Sequence, residues 1–103
     1  MKFNYDTESG CAYIGDSDKK VKSSIGLMNT FVVDLDFNGK VSGVEIIDAN
    51  AVLKDFRIDI NKIEQVGMNV KRTDNYFAVI LIFKQAGIKK EIVLPVAPIA
   101  TSS

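Results

Sequence analysis

The feature that most constrains the fold of this chain is an apolar run that does not alternate. Residues 76–83 read Tyr-Phe-Ala-Val-Ile-Leu-Ile-Phe, which is too short for a membrane-spanning helix of about twenty residues. A continuous apolar strand has both faces shielded from water. We expect one set to lie in the domain core and the other to be buried by sheet curvature or, as we favour, by a second copy of the chain. The expected core set is Phe77, Val79, Leu81 and Phe83, and the expected interface set is Tyr76, Ala78, Ile80 and Ile82.

The rest of the chain predicts further strands. Runs of alternating polar and apolar residues are separated by Gly and Asn at short intervals, a pattern typical of β-rich domains. Asp48 and Asp59 are each placed to cap a short helix, over about 49–54 and 60–65, by accepting an amide hydrogen. We therefore predict an α+β fold, a mainly antiparallel sheet of about seven or eight strands with two short helices in the middle of the chain.

The length of 103 residues leaves room for one domain. We expect residues 1–103 to form a single domain in three parts. Residues 1–54 form a β-meander and a helix, residues 55–96 form a helical link and further strands, and residues 97–103 form a tail, with Pro95 and Pro98 close to the C-terminus.

The composition excludes several kinds of chemistry. The chain has no His, and Cys11 is its single cysteine. This rules out, within one chain, a disulfide framework, a Cys/His zinc site, a Ser-His-Asp triad and a Cys-His dyad. We accordingly expect no enzyme activity, no catalytic residues and no cofactor.

The charge balance also narrows the choice of partners. Thirteen basic and thirteen acidic residues give a formal net charge of zero, so we expect neither nucleic acid nor a membrane as a partner. The N-terminus lacks the apolar core of a signal peptide, and one unpaired cysteine fits a reducing compartment. The expected location is the cytoplasm.

Asn38-Gly39 lies between two β-rich runs and predicts a hairpin. Apolar residues on the return strand break the period of two, which predicts a bulge at Ser42-Gly43. The same segment matches the EF-hand calcium loop at every specified position. The calcium ligands would be Asp34, Asp36, Asn38, the backbone carbonyl of Lys40, and Glu45.

Calcium binding is therefore the alternative function, and a plain hairpin is the leading interpretation. EF-hand loops are flanked by helices, whereas the residues around this loop are β-formers. In a fully paired hairpin Glu45 also lies several residues from the tip, out of reach of an ion bound there.

The N-terminal half carries an ordered set of short motifs, namely Met1-Lys2-x-x-Tyr5-Asp6-x-Glu8, Ala12-Tyr13-Ile14, Val32-Val33-Asp34-Leu35-Asp36, and Gly39 with Gly43-Val44-Glu45-Ile46-Ile47-Asp48-Ala49. Over residues 1–54 these motifs resemble the small prokaryotic domain-of-unknown-function family 2283. With its further strands, the chain is similar to the longer archaeal-type members. Gly10 stands where the family usually has an acidic residue.

The resemblance implies a small cytoplasmic β-rich module without an assigned activity. It also implies that the Asp-x-Asp hairpin is a shared fold feature, which weakens the calcium interpretation. Our leading hypothesis is thus a non-enzymatic binding or interaction module that forms a homo-oligomer, with a small protein as a further kind of partner.

Overall fold

The computed structural model describes residues 1–16 and 20–96. Within these ranges the chain forms eight strands, one α-helix and one 3-10 turn. The expected tail, residues 97–103, lies outside the described residues. In chain order the elements are β1 (Lys2–Tyr5), β2 (Ala12–Gly15), β3 (Ser23–Leu27), β4 (Phe31–Leu35), β5 (Val41–Ile46), α1 (Ala49–Asp55), the 3-10 turn (Ile60–Lys62), β6 (Gln65–Arg72), β7 (Phe77–Gln85) and β8 (Ile88–Val96).

The strands form two antiparallel sheets. The first sheet has five strands in the order β1-β2-β5-β4-β3, and the second has three in the order β6-β7-β8. The prediction of a mainly antiparallel α+β fold is confirmed, but the strands do not form one continuous sheet. The link that holds α1 and the 3-10 turn separates β5 from β6 along the chain, so the last three strands pair among themselves.

The prediction of two short helices is only half right. The second expected helix is a 3-10 turn that ends at Lys62, because the chain is already extended when β6 begins at Gln65. Asp59 caps this turn as predicted, and its side chain accepts a hydrogen bond from the backbone N–H of Asn61 at 3.0 Å. The prediction for Asp48 is wrong. Its backbone is left-handed, with φ at 53°, instead of the extended conformation of a capping residue, and its side chain makes no capping hydrogen bond.

The predicted hairpin joins β4 to β5. The backbone N–H of Gly39 donates to the carbonyl oxygen of Asp36 at 3.0 Å, and Gly39 has φ at 75°. The loop is therefore a three-residue loop closed by a left-handed glycine. The bulge is confirmed, because Asp34 pairs with Gly43 and the next residue, Leu35, pairs with Val41. Ser42 is thus the extra residue on β5.

The two sheets enclose one hydrophobic core, to which both halves of the chain contribute. At one end of β7, the Phe83 ring meets the Phe3 ring of β1 edge-on, with centroids 6.5 Å apart. Near the other end, an Arg72 guanidinium nitrogen donates to the Gly39 carbonyl oxygen at 3.1 Å. The second sheet therefore lies across the inner face of the first, from β1 to the tip of the β4–β5 hairpin.

The expected division of the apolar run into two faces is confirmed for β7. Its core set, Phe77, Val79, Leu81 and Phe83, is at most 1% exposed. The layer that covers this set is the five-stranded sheet of the same chain.

None of the helices in the described part of the chain is long or apolar enough to cross a membrane.

Candidate functional site

The outer face of the five-stranded sheet presents a tyrosine among carboxylates. Tyr13 on β2 pairs with Glu45 on β5, and Asp34 on β4 pairs with Gly43 on β5. Paired residues of antiparallel strands project from the same face of the sheet, here the face opposite the core. We call this surface the tyrosine face and define it by Tyr13, Gly15, Ser24, Asp34, Gly43 and Glu45.

The Tyr13 side chain occupies space that is available because Gly15 and Gly43 have no side chains. A Cβ atom built on Gly43 would lie only 1.9 Å from the Tyr13 Oη, and one built on Gly15 would lie 2.9 Å from it. Gly15 and Gly43 are themselves a cross-strand pair. The Tyr13 ring therefore lies along the sheet and packs directly on the backbone of these two glycines.

This arrangement was missed by reasoning from the sequence, which assigned Gly43 only to the bulge. A glycine inside a strand often marks the close approach of another group. Gly15 and Gly43 are such glycines, but their pairing depends on a contact between β2 and β5, which are far apart in the chain.

The surroundings of Tyr13 disfavour ionisation of its phenol. Burial raises the pKa of this phenol above its usual value of 10.0, and the negative charges of Asp34 and Asp16 raise it further. Asp34 is held in place by Ser24, whose hydroxyl donates to an Asp34 carboxylate oxygen at 2.7 Å. At neutral pH the tyrosine face is thus a negatively charged surface with a protonated phenol, which can donate a hydrogen bond.

The five candidate calcium ligands are spread over the hairpin. One Asp36 carboxylate oxygen accepts hydrogen bonds from the backbone N–H groups of Asn38 and Lys40, at 2.8 and 3.0 Å. Asn38 and Lys40 are exposed at the tip, whereas Asp34 and Glu45 lie on the tyrosine face. Among residues 1–16 and 20–96, no three His, Cys, Asp or Glu residues are grouped in a way that could hold a metal ion.

The outer face of the three-stranded sheet is apolar at its centre. Ile80 on β7 pairs with Val93 on β8, and Ala78 pairs with Pro95. Val93 is 57% exposed, and Ile80 and Ile82 are half-buried. We call this surface the apolar face and define it by Ala78, Ile80, Ile82, Val93 and Pro95.

Charged residues surround the apolar face. Lys71 on β6 pairs with Ala78, Lys84 pairs with Lys89, and Glu91 pairs with Ile82. All four charged side chains are exposed. The rim of the apolar face therefore carries both signs of charge, with lysines in the majority.

Comparison with known proteins relates the first half of the chain to a family. Residues 2–50 match the model of DUF2283, a family described as proteins of unknown function. The match spans all five strands of the first sheet, including the tyrosine face, and it supports the resemblance that the N-terminal motifs predict. Strands β6 to β8 and the apolar face lie outside it. No curated protein and no solved structure matches the chain.

Proposed function

We propose that this protein is a non-enzymatic interaction module that self-associates through its apolar face. The observation that carries the proposal is the pairing of Ile80 with Val93, because it places a half-buried and a 57% exposed apolar side chain side by side. Single exposed apolar residues are ordinary on protein surfaces, whereas contiguous groups indicate a site of contact. Pro95, which is exposed and pairs with the buried Ala78, extends this group by one further residue along β8.

A second copy of the chain is the occupant that fits this face. In a closed two-fold pairing, each subunit contributes the same patch. The patch must then complement itself, and charges of both signs on its rim allow opposite charges to meet across the two copies. Glu91 supplies the negative charge, and Lys71, Lys84 and Lys89 supply the positive charges. Opposite charges on facing rims favour one register of the two copies over others.

The size of the face predicts weak association. The whole outer side of β6, β7 and β8, with strands about 4.8 Å apart and about 30 Å long, measures roughly 400 Å², and the apolar face is only part of it. A stable interface of standard size buries about 800 Å² on each partner. We therefore expect a reversible dimer that forms at micromolar or higher protein concentrations.

The test is sedimentation over a wide range of protein concentrations. We expect the wild type to show a concentration-dependent dimer and Val93→Lys to remain monomeric with an unchanged melting temperature, since residue 93 is already exposed. Val21→Lys is the matched control, because Val21 is 45% exposed and precedes β3. This control should dimerise as the wild type does.

A second variant reaches the centre of the patch. Ile80→Lys would place unpaired charges at the contact and should also give monomers. A wild type that stays monomeric at every concentration would refute the proposal, as would a Val93→Lys variant that dimerises normally. If the wild type is monomeric and binds a small protein, that protein is the partner and self-association is refuted.

The positions of the hairpin carboxylates support this function over the calcium alternative. Asp36 is engaged by the backbone of its own turn, and Glu45 pairs with Tyr13 on the sheet instead of facing the loop. The proposal includes no cofactor, and its cytoplasmic setting rests on the sequence alone.

A further inference from the structure

A cavity of about 410 Å³ lies away from both faces described above. It is formed by α1, the loop that follows α1, the 3-10 turn and the end of β7. Pockets for small ligands commonly have volumes of this order. The polar side chains that line the cavity are those of Asn50, Lys54, Arg57, Asp59, Asn61 and Gln85.

The backbone at Arg57 is in a conformation that arginine rarely adopts. The N–H of Arg57 donates to the carbonyl oxygen of Lys54, and the N–H of Ile58 donates to that of Leu53, both at 2.9 Å. These two bonds end α1 in a Schellman motif, in which glycine usually occupies the position of Arg57. Arg57 has φ at 60°, so this position holds a strained residue where glycine would be relaxed. Met28, Asn29, Asp48 and Ala86 also have a left-handed backbone, and Arg57 differs from these residues because it lines the cavity.

The side-chain amide of Gln85, at the end of β7, has its oxygen engaged by the backbone. The backbone N–H of Asp59 donates to the Gln85 Oε1 atom at 2.7 Å. Because an N–H group can bond only to the oxygen of an amide side chain, the Gln85 Nε2 group is left as a donor. The Asp59 carboxylate, the only one in the lining among the residues that the structure describes, accepts a hydrogen bond from the backbone N–H of Asn61.

The charges around the cavity favour an anion. Lys54 and Arg57 line it, and the Lys90 ammonium group donates a hydrogen bond to the carbonyl oxygen of Arg57. Within the lining, the two cations of Lys54 and Arg57 and the carboxylate of Asp59 leave an excess of one positive charge. A phosphate monoester carries about two negative charges at neutral pH and has three acceptor oxygens.

We propose that this cavity binds the phosphoryl group of a small molecule, with Arg57 and Lys54 as the charged contacts and the amide side chains as further donors. Arginine and lysine are the side chains that proteins use most to bind phosphate. The cavity is larger than one phosphate group, which leaves room for the organic part of the ligand. Free phosphate shares the same chemistry, and the experiment distinguishes the two sources.

The experiment is an NMR titration of backbone and side-chain amides with inorganic phosphate, with glycerol phosphate and with sodium chloride at matched ionic strength. We expect saturable shifts at residues 57–61 and at the Gln85 side chain with both phosphates, and tighter binding of glycerol phosphate. Equal affinity for the two would assign the site to free phosphate. Shifts that chloride reproduces, or no saturation, would overturn the proposal.

Two variants and a control make the test specific. Arg57→Gly should weaken phosphate binding at least about tenfold, while the melting temperature rises because glycine relaxes the strained position. Lys54→Gln should weaken binding without that rise. Lys71→Gln, which removes the same charge beside the apolar face, should bind phosphate as the wild type does. Unchanged affinity in both Arg57→Gly and Lys54→Gln would overturn the assignment.

Discussion

Replacing Gly43 with alanine tests whether the Tyr13 ring needs the bare backbone beneath it. The new Cβ atom would lie 1.9 Å from the Tyr13 Oη and 2.3 Å from its Cζ, so the ring has to leave its place. Overpacking of this kind costs about 1–3 kcal/mol. The backbone at Gly43 is outside the left-handed region, so alanine regains about 0.4–1 kcal/mol by restricting the unfolded chain. We expect a net loss of about 1–2 kcal/mol in the free energy of unfolding.

The assay is a double-mutant cycle measured by urea unfolding and circular dichroism. In a Tyr13→Ala background the atoms that meet the new Cβ are absent, so Gly43→Ala should be neutral or stabilising. Gly15→Ala is the matched control. A Cβ at Gly15 would lie 2.6 Å from the Ser42 carbonyl oxygen and 2.8 Å from the Gly43 Cα. These are backbone atoms, so the cost of Gly15→Ala should persist without the tyrosine ring.

The difference between the two cycles decides the question. Coupling between Tyr13 and Gly43 should be large, since residues in direct contact commonly show interaction energies of about 0.5–3 kcal/mol. If Gly43→Ala lowers the free energy of unfolding by the same amount with and without the tyrosine ring, the ring does not depend on the absence of a side chain at residue 43. The account of the tyrosine face would then be refuted.

Two further predictions concern protons and metal ions. The wild type should lose stability as pH rises above 10, because burial, Asp34 and Asp16 raise the pKa of the Tyr13 phenol in the folded state. This contribution is complete below the unfolded pKa of 10.0 and is lost as pH rises through the folded value. Urea unfolding should show that the difference in free energy of unfolding between the wild type and Tyr13→Phe changes above pH 10. A difference that does not vary with pH would contradict this prediction. Calcium in place of a chelator should leave the melting temperature and the amide shifts of Asp34 and Asp36 unchanged, because Asp36 is already bound by its own turn. Saturable shifts that Asp34→Ala abolishes would instead establish the calcium site, and calcium at about a hundred times its Kd would add about 2.7 kcal/mol.

Local features of this fold could be predicted because each depends on neighbouring residues. Asn38-Gly39 marks the hairpin through the left-handed backbone of Gly39, and the spacing of apolar residues on β5 marks the bulge at Ser42. In the same way, the two sets of side chains on residues 76–83 follow from the period of two in any strand.

Features that depend on distant pairing could not be predicted. The Tyr13 ring meets Gly43 only because β2 pairs with β5, across the intervening β3–β4 hairpin. Arg57 ends α1 where glycine is usual, so its residue type gives no indication of a left-handed backbone. The EF-hand pattern does not distinguish a hairpin from a calcium loop, since Asp, Asn and Gly favour the turns of both.

The division into two sheets explains why self-association should be weak. At the centre of the inner face of the first sheet, six apolar residues are at most 2% exposed, namely Ala12, Ile14, Phe31, Val33, Val44 and Ile46. Apolar residues nearer the edges of this face are partly buried against the same core, to which β7 and β8 also contribute. The match to the family ends at residue 50, before these three strands begin. Residues 2–50 alone would therefore leave a five-stranded apolar face bare, and burying it would require another molecule. In this chain the second sheet supplies that cover, so the surface left for a second copy is the outer side of three strands. That side is narrow, and charged side chains surround its apolar centre. We therefore propose no more than a reversible dimer, since the larger apolar surface is buried within one chain. The members of the central row, Ile80 and Val93, are the residues whose substitution should affect it most.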